Sequence, residues 1–408
     1  MAILSAVRLG VNVFIGKCLA LWLGTSGLYY FGQLQSLMLV VQNLSTGAIH
    51  NGVIKYWAAR KTNQNETILR QTIITITLLF STFISFVLIV FGGFISRYFF
   101  ETEAFELSIR LLGIGALGIG FNQLLLSIFN AERRFKAVSI FNNIQSILMA
   151  LLVVFGAYYF GLRGALIGLS LSQLATFIVI AFYFFSDLKR LFKKPFYHID
   201  QILATQLGRF SMMAIASTVV VAFSQIVART MISDELSESS AGLWEATIRI
   251  SNIYIFFLSF LFTGYFLPRF SVKLSNREMK QELKKGGLYI TGLYVIVALF
   301  LLPLKDWLIG LIFTDEFLAI SAILSLQILG DYLKSISWLF TNYLAALNKT
   351  TAFIVFEIFS QLVFLVLLRY ALPIWGFQGV FYTYVSVWIM QNLLLIGYFY
   401  IFLIPRKQ

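Results

Sequence analysis

Apolar runs of about twenty residues follow one another along this chain, each closed by a short charged or glycine-containing break. At ~1.5 Å per residue, a helix of that length spans the hydrocarbon core of a bilayer. Twelve such spans fit, at about 2–23, 34–57, 71–94, 107–129, 137–160, 165–185, 206–229, 242–267, 286–304, 318–346, 350–371 and 379–403. The expected fold class is therefore all-α, a polytopic membrane protein. Composition agrees, because 59% hydrophobic and 12% charged residues leave too little polar surface for a soluble globule of 408 residues. No loop is long enough for a folded extramembrane domain, and the segment near 318–346 is long enough to tilt or break. The first apolar run lacks a small-residue cleavage site, so it reads as a retained helix. With Cys18 the single cysteine, no intramolecular disulfide is expected.

The formal net charge of +13 points away from nucleic acid once its location is read. Most basic residues outside the spans, among them Arg60, Arg133, Lys193, Lys194, Lys284 and Lys407, fall in alternate loops and the C-terminal tail. The opposite loops hold Arg97, Arg163 and Lys305 together with most of the loop acids, including Glu101, Asp234, Glu235 and Asp315. The positive-inside rule then sets both termini in the cytoplasm. A basic stretch near mid-chain divides the spans into an N-terminal six-helix lobe at 1–190, a cytoplasmic linker at 191–205 and a C-terminal six-helix lobe at 206–408. Arg8 in the first span and Arg209 in the seventh stand at similar places. Many transporters are built from such a duplicated unit, with the binding site between the halves.

Charges inside a span are costly unless they face a partner or a wet cavity, and so mark function. The stretch Ala241–Phe270 carries Glu245 and Arg249, four apart and on one helix face, before it stops at Pro268 and basic Arg269. Elsewhere the intraspan cations are Arg8, Lys17, Lys55, Arg110, Arg209, Arg229, Lys334 and Arg369; the other acids are only Asp331 and Glu357. Arg110, Arg229 and Arg369 lie near helix ends; snorkelling to the headgroups is the plainer reading for Arg110 and Arg369, whereas for Arg229 and Lys55 it stands level with a cavity role. Glu245 with Arg249, and Asp331 with Lys334, are spaced for ion pairs within a helix. The remaining excess of cations implies a chamber suited to an anion, since phosphate oxygens accept charge-assisted hydrogen bonds from Arg and Lys. Glu357 is a candidate for a coupling proton, because burial disfavours its carboxylate. His50 reads as a polar lining residue; with His198 the only other histidine, no metal site is expected, and no cofactor motif or catalytic triad is found. The Gly113–Gly118 run GIGALG matches a dinucleotide fingerprint literally, but it lies inside an apolar helix and points to close packing.

Several segments, in order and spacing, carry a resemblance. They are Gly16-Lys17, the run from Gly47 through His50 and Lys55 to Tyr56, Gln206–Phe210, Tyr265–Pro268 and Gly330–Lys334. Over nearly its whole length the chain resembles the Wzx family of bacterial polysaccharide flippases, in the MOP superfamily with the MATE transporters and the lipid II flippase. The similarity is greatest to the O-antigen and enterobacterial common antigen branch, although Asn252 stands where that pattern has an acid. The resemblance implies two pseudo-symmetric MATE-like lobes in a bacterial inner membrane. It also implies transport of undecaprenyl-diphosphate-linked oligosaccharide to the periplasmic leaflet, with no enzymatic step. The charge reading supplies the substrate-binding candidates for such a cargo: Lys17, Lys55, Arg209, Arg229, Arg249, Lys334, Arg8 and His50. Glu245, Asp331 and Glu357 would serve coupling or ion pairing. The partners the resemblance implies are membrane lipids, H⁺ or Na⁺ as coupling ion, and the polymerase and chain-length regulator of the same pathway. Two other classes compete. A MATE-like drug or cation antiporter would want an acidic interior, opposite to the balance here. A membrane polymerase of lipid-linked glycans would want a large periplasmic loop, whereas the outside loops here are short.

Overall fold

Three helices are too long for one crossing. In the computed structural model, which describes residues 2–59, 63–192, 199–270, 275–347 and 349–402, α1 runs Ala2–Leu44, α6 Phe135–Tyr183 and α15 Thr350–Phe402. Each holds one glycine at positive φ: Gly24 at 65°, Gly161 at 62° and Gly376 at 53°. Only glycine takes that conformation without steric cost, and the helix reverses there. In α6 a Cβ on Gly156 would collide with the carbonyl oxygen of Gly164, and one on Gly168 with that of Leu152. In α15 a Cβ on Gly379 would lie 2.6 Å from the carbonyl oxygen of Ala371. Those pairings are antiparallel, so each of these two helices is a hairpin of two rods in backbone contact.

Between α1 and α6 lie α2 (His50–Ala59), α3 (Asn63–Val90), α4 (Gly92–Phe100) and α5 (Glu106–Ala131). Then come α7 (Phe185–Leu191), α8 (Gln201–Ala214), α9 (Val220–Glu235), α10 (Glu238–Leu261) and α11 (Leu267–Phe270). The chain continues through α12 (Asn276–Leu301), α13 (Lys305–Ile312) and α14 (Leu324–Ala346) to α15. No strand occurs among the described residues, and the fold is all-α. Single π-helical turns at Ile215–Val219 and Phe262–Phe266 interrupt the α8–α9 and α10–α11 rods. Among the described residues, eight helices are long and apolar enough to cross a membrane, or nine when the pair Asp315–Ala322 and Leu324–Ala346, bent by 62°, counts as one span. That bend falls where the sequence suggested a break. Large apolar side chains line the outside of these rods, with Phe182 80% and Ile401 73% exposed. Such a surface would aggregate in water and suits lipid.

The chain forms two compact units, Met1–Ile226 and Val227–Gln408. Here α8 packs on α2 and α3, so the start of the seventh sequence span belongs to the first unit. Asp200 fixes that helix start: its side chain caps the Leu203 N–H at 2.8 Å, and its own N–H donates to Thr72 at 3.1 Å. The first unit's core joins α2, α3, α5 and α6 through Val53, Trp57, Ile73, Phe129 and Phe141, all buried. Within α5, Gly113 faces Leu88 and Gly118 faces Phe177, which gives the GIGALG run its close-packing role. Of the residues read from the sequence, Arg60, Lys193, Lys194, His198 and Lys407 lie outside the described residues.

Candidate functional site

In the second unit the charges read from the sequence largely answer one another. Arg229 comes from α9, and Glu245 and Arg249 from successive turns of α10. Arg229 donates through Nε and Nη2 to one Glu245 oxygen at 3.0 and 2.9 Å, while Arg249 Nε lies 2.9 Å from the other. The expected Glu245–Arg249 pair is present. Arg229 does not snorkel: it is 2% exposed against a carboxylate 4% exposed, with its guanidinium 5.8 Å from the Trp244 ring. Two helices are thereby pinned through a single carboxylate.

Asp331 corrects the other expected pair. It is 1% exposed, and its oxygens are taken by other donors. Tyr254 Oη reaches Oδ2 at 2.5 Å, Gln327 Nε2 reaches the same oxygen at 3.0 Å, and Tyr384 Oη reaches Oδ1 at 2.7 Å. No Asp331–Lys334 ion pair forms among the described residues; Lys334 Nζ instead sits 5.0 Å from the Trp338 ring and 5.8 Å from that of Trp388. The hydroxyls of tyrosines outside α14 hold the carboxylate better than a lysine three residues on, whose ammonium then rests on aromatic faces. Gly330 makes this possible, since a Cβ there would fall on the Tyr384 ring. Glu357 on α15 is 7% exposed, and its carboxylate has no hydrogen bond or ion pair among the described residues; Lys334 acts on it across α14 and α15. Arg229, Arg249 and Lys334 thus share the second unit with Glu245, Asp331 and Glu357, and Arg369 on α15 is a further cation there.

The first unit holds Arg8, Lys17, Lys55 and Arg209, the other cations in question. No Asp or Glu precedes Glu66, so Arg8, Lys17, His50 and Lys55 share a stretch without acids. A turn through Gly47 and Ala48, both at positive φ, separates α1 from α2 and places His50 at the α2 start. Lys55 is exposed on α2, with Nζ 5.1 Å from the Phe210 ring of α8, and Arg209 beside that phenylalanine is exposed as well. Gly52 lets the two helices meet, since a Cβ there would lie 2.6 Å from Leu207 Cδ2. Lys17 is half-buried on α1. Among the described residues, Arg8 is the one charged residue at a separate cavity of about 240 Å³ inside this unit. From α1 come Asn12, Gln35 and Gln42; Gln123 comes from α5, and α6 supplies Asn142, Gln145 and Gln173. Gln42 and Gln145 both donate to Gln173 Oε1, at 3.3 and 3.4 Å.

Residues 30–322 match a family model described as "Polysaccharide biosynthesis protein". The chain belongs to this polysaccharide biosynthesis family. It is 26% identical over 413 residues to the lipid III flippase of Escherichia coli (strain K12), an alignment covering 99% of this chain and 97% of that one. The lipid III flippase of Shigella flexneri gives the same figures. Among solved structures, an inward-facing multidrug resistance MATE family transporter of the MOP superfamily superimposes with a TM-score of 0.76 at 15% identity, covering 96% of this chain and 93% of that one. The lipid II flippase MurJ in an inward closed conformation gives 0.71 at 15% identity, covering 97% and 86%. At that identity the structures establish the fold, which is MATE-like.

For this member of the polysaccharide biosynthesis family, reading the charges found the Glu245–Arg249 pair but missed Arg229's part in it and passed over the amide cavity. Asparagine and glutamine in apolar helices were the available signal. Asn12 lies one helical turn from Arg8, Gln42 two turns from Gln35, and Gln145 one turn from Asn142, so each helix presents a polar stripe.

Proposed function

We propose that this chain is a flippase that moves a polyprenyl-diphosphate-linked oligosaccharide between the leaflets of a bacterial inner membrane. Full-length similarity to proteins named lipid III flippase carries the reading. It is supported by the distribution of charge: the exposed or half-buried cations Arg8, Lys17, Lys55 and Arg209 share a unit whose acids stand only at helix ends and turns. Guanidinium and ammonium groups there would receive the diphosphate while the polyprenyl chain stays in lipid. Arg229 and Arg249 are assigned a supporting role instead, as their charge is spent on Glu245. We further propose twelve crossings with both termini cytoplasmic, lobes at 1–190 and 206–408 joined by the linker at 191–205, and an undecaprenyl-linked O-antigen unit or related glycan as cargo. Alternating exposure of the polar site to the two faces would carry the headgroup across. An inside-negative potential favours outward movement of an anion by ~2.3 kcal/mol per charge per 100 mV. Glu357, a buried carboxylate acted on by Lys334, is the proposed site for a coupling proton; the pathway's polymerase and chain-length regulator are proposed partners.

The superposition on a multidrug MATE transporter favours a second reading, a drug or cation antiporter. A cationic drug wants a carboxylate in its cavity, and the first unit's amide cavity has none in its lining. Replacing Lys17 and Arg209 by glutamine in cells that depend on this protein tests the choice. The flippase reading expects glycan display to fall severalfold at unchanged protein level. Full display in both variants, together with dye efflux by the parent protein, would establish the antiporter instead.

A further inference from the structure

We propose that the amide-lined cavity of the first unit is a subsite for one uncharged sugar ring of the cargo, with Arg8 at the same cavity for the diphosphate end. This rests on the flippase reading above and assigns that cargo its glycan contact. Three observations carry it. The volume, about 240 Å³, lies below the roughly 300–1,000 Å³ of pockets for drug-sized ligands, which fits a single ring and not a whole oligosaccharide. The carboxamides of Asn12, Gln123 and Asn142 each carry two N–H donors and a carbonyl acceptor, the pairing that vicinal hydroxyls or an N-acetyl group require. No acid lines the cavity, so an organic cation has no counter-charge there.

The state of the amides distinguishes this cavity from ordinary polar filling. The side chains of Asn12, Gln123 and Asn142 make no hydrogen bond among the described residues, although all three are half-buried in the cavity wall. Gln42 and Gln145 spend one N–H each on Gln173 and leave their carbonyl oxygens available. Amides that face open space instead of one another keep their hydrogen-bonding capacity for a solute that enters it. Met38 and Met149 supply an adaptable apolar wall for the C–H face of a pyranose. Donors, acceptors and an apolar face on one small cavity are what a neutral sugar demands, and a bare diphosphate demands none of them.

The test uses the full chain in nanodiscs and two probes, a short-chain polyprenyl diphosphate and the same lipid carrying one N-acetylhexosamine. The parent protein is expected to bind the glycosylated lipid at least tenfold more tightly than the bare one. Asn142→Ala with Gln123→Ala should reduce that preference to less than threefold and leave affinity for the bare lipid unchanged. Because neither side chain bonds within the protein, the thermal midpoint should hold. Arg8→Gln should weaken both lipids in parallel and keep the preference, which separates a sugar contact from a general loss of binding. A preference that survives Asn142→Ala with Gln123→Ala in folded protein overturns the subsite. Equal binding of the two lipids by the parent protein overturns it as well and leaves the flippase reading standing. No binding of either lipid overturns both.

Discussion

Removing the Glu245 carboxylate is the sharpest test of how the second unit is held together. Glu245→Ala strands two guanidiniums, one 2% exposed, that now lie 2.9–3.0 Å from its oxygens. Breaking one buried ion pair by deleting a partner destabilises by about 3–5 kcal/mol, mostly because the surviving charge is left uncompensated. With Arg249 nearer the surface at 15% side-chain exposure, Arg229 dominates, and the loss should stay near that range instead of doubling. Replacing all three by leucine removes the stranded charges and should recover most of the lost stability, since apolar substitution of a whole buried network is often neutral. Denaturant unfolding of purified protein in detergent measures this. Trp244, 5.8 Å from the Arg229 guanidinium, serves as a local fluorescence reporter. A Glu245→Ala loss below about 1 kcal/mol, the range of an exposed pair, would refute the reasoning. So would a triple-leucine protein no more stable than Glu245→Ala alone.

Tyr384→Phe removes a hydroxyl donor from the buried Asp331 carboxylate and should destabilise by about 1.5–3 kcal/mol, the range for bonds to charged groups. Tyr294→Phe loses only the 2.8 Å bond to the Ser335 hydroxyl, and unfolding should show a smaller loss of about 0.5–1.5 kcal/mol. At Gly161, φ is 62° and ψ is −147°, a region only glycine enters readily, and no atom lies within 4 Å of a Cβ, so Gly161→Ala should cost the backbone strain alone, about 1–3 kcal/mol. Gly156→Ala drives a methyl into the opposing backbone and should lower the melting temperature further than Gly161→Ala does. Lys55→Gln and Arg209→Gln, both at exposed positions, should reduce glycan display severalfold while immunoblots show unchanged protein.

Hydropathy alone made the fold class legible, because backbone satisfaction in lipid leaves a chain this apolar few alternatives. Helix boundaries were less so. The breaks at 23–34, 160–165 and 371–379 do contain the reversals at Gly24, Gly161 and Gly376, but the span at 34–57 runs across the turn at Gly47 and Ala48. The Glu245–Arg249 pair was legible because an i,i+4 spacing is a local property. Arg229's part in it was not, for that contact spans sixteen residues and depends on how α9 meets α10. Asp331 was misassigned to Lys334 for a related reason: its real partners, Tyr254 and Tyr384, lie 77 and 53 residues away. The Gly330-Asp331 dipeptide quoted for the family resemblance gains its meaning only from that packing. The amides of the first-unit cavity escaped notice because an uncharged polar residue in an apolar helix stands out less than a charge.

The most direct measurement of the account is leaflet exchange in proteoliposomes containing only this protein and a fluorescent polyprenyl-diphosphate oligosaccharide. Externally added quencher should reach label that began on the inner leaflet, and do so faster than in protein-free vesicles. An imposed potential should change that rate in the direction that drives an anion outward. Exchange no faster than in protein-free vesicles, by protein that still expels a cationic dye, would contradict the account.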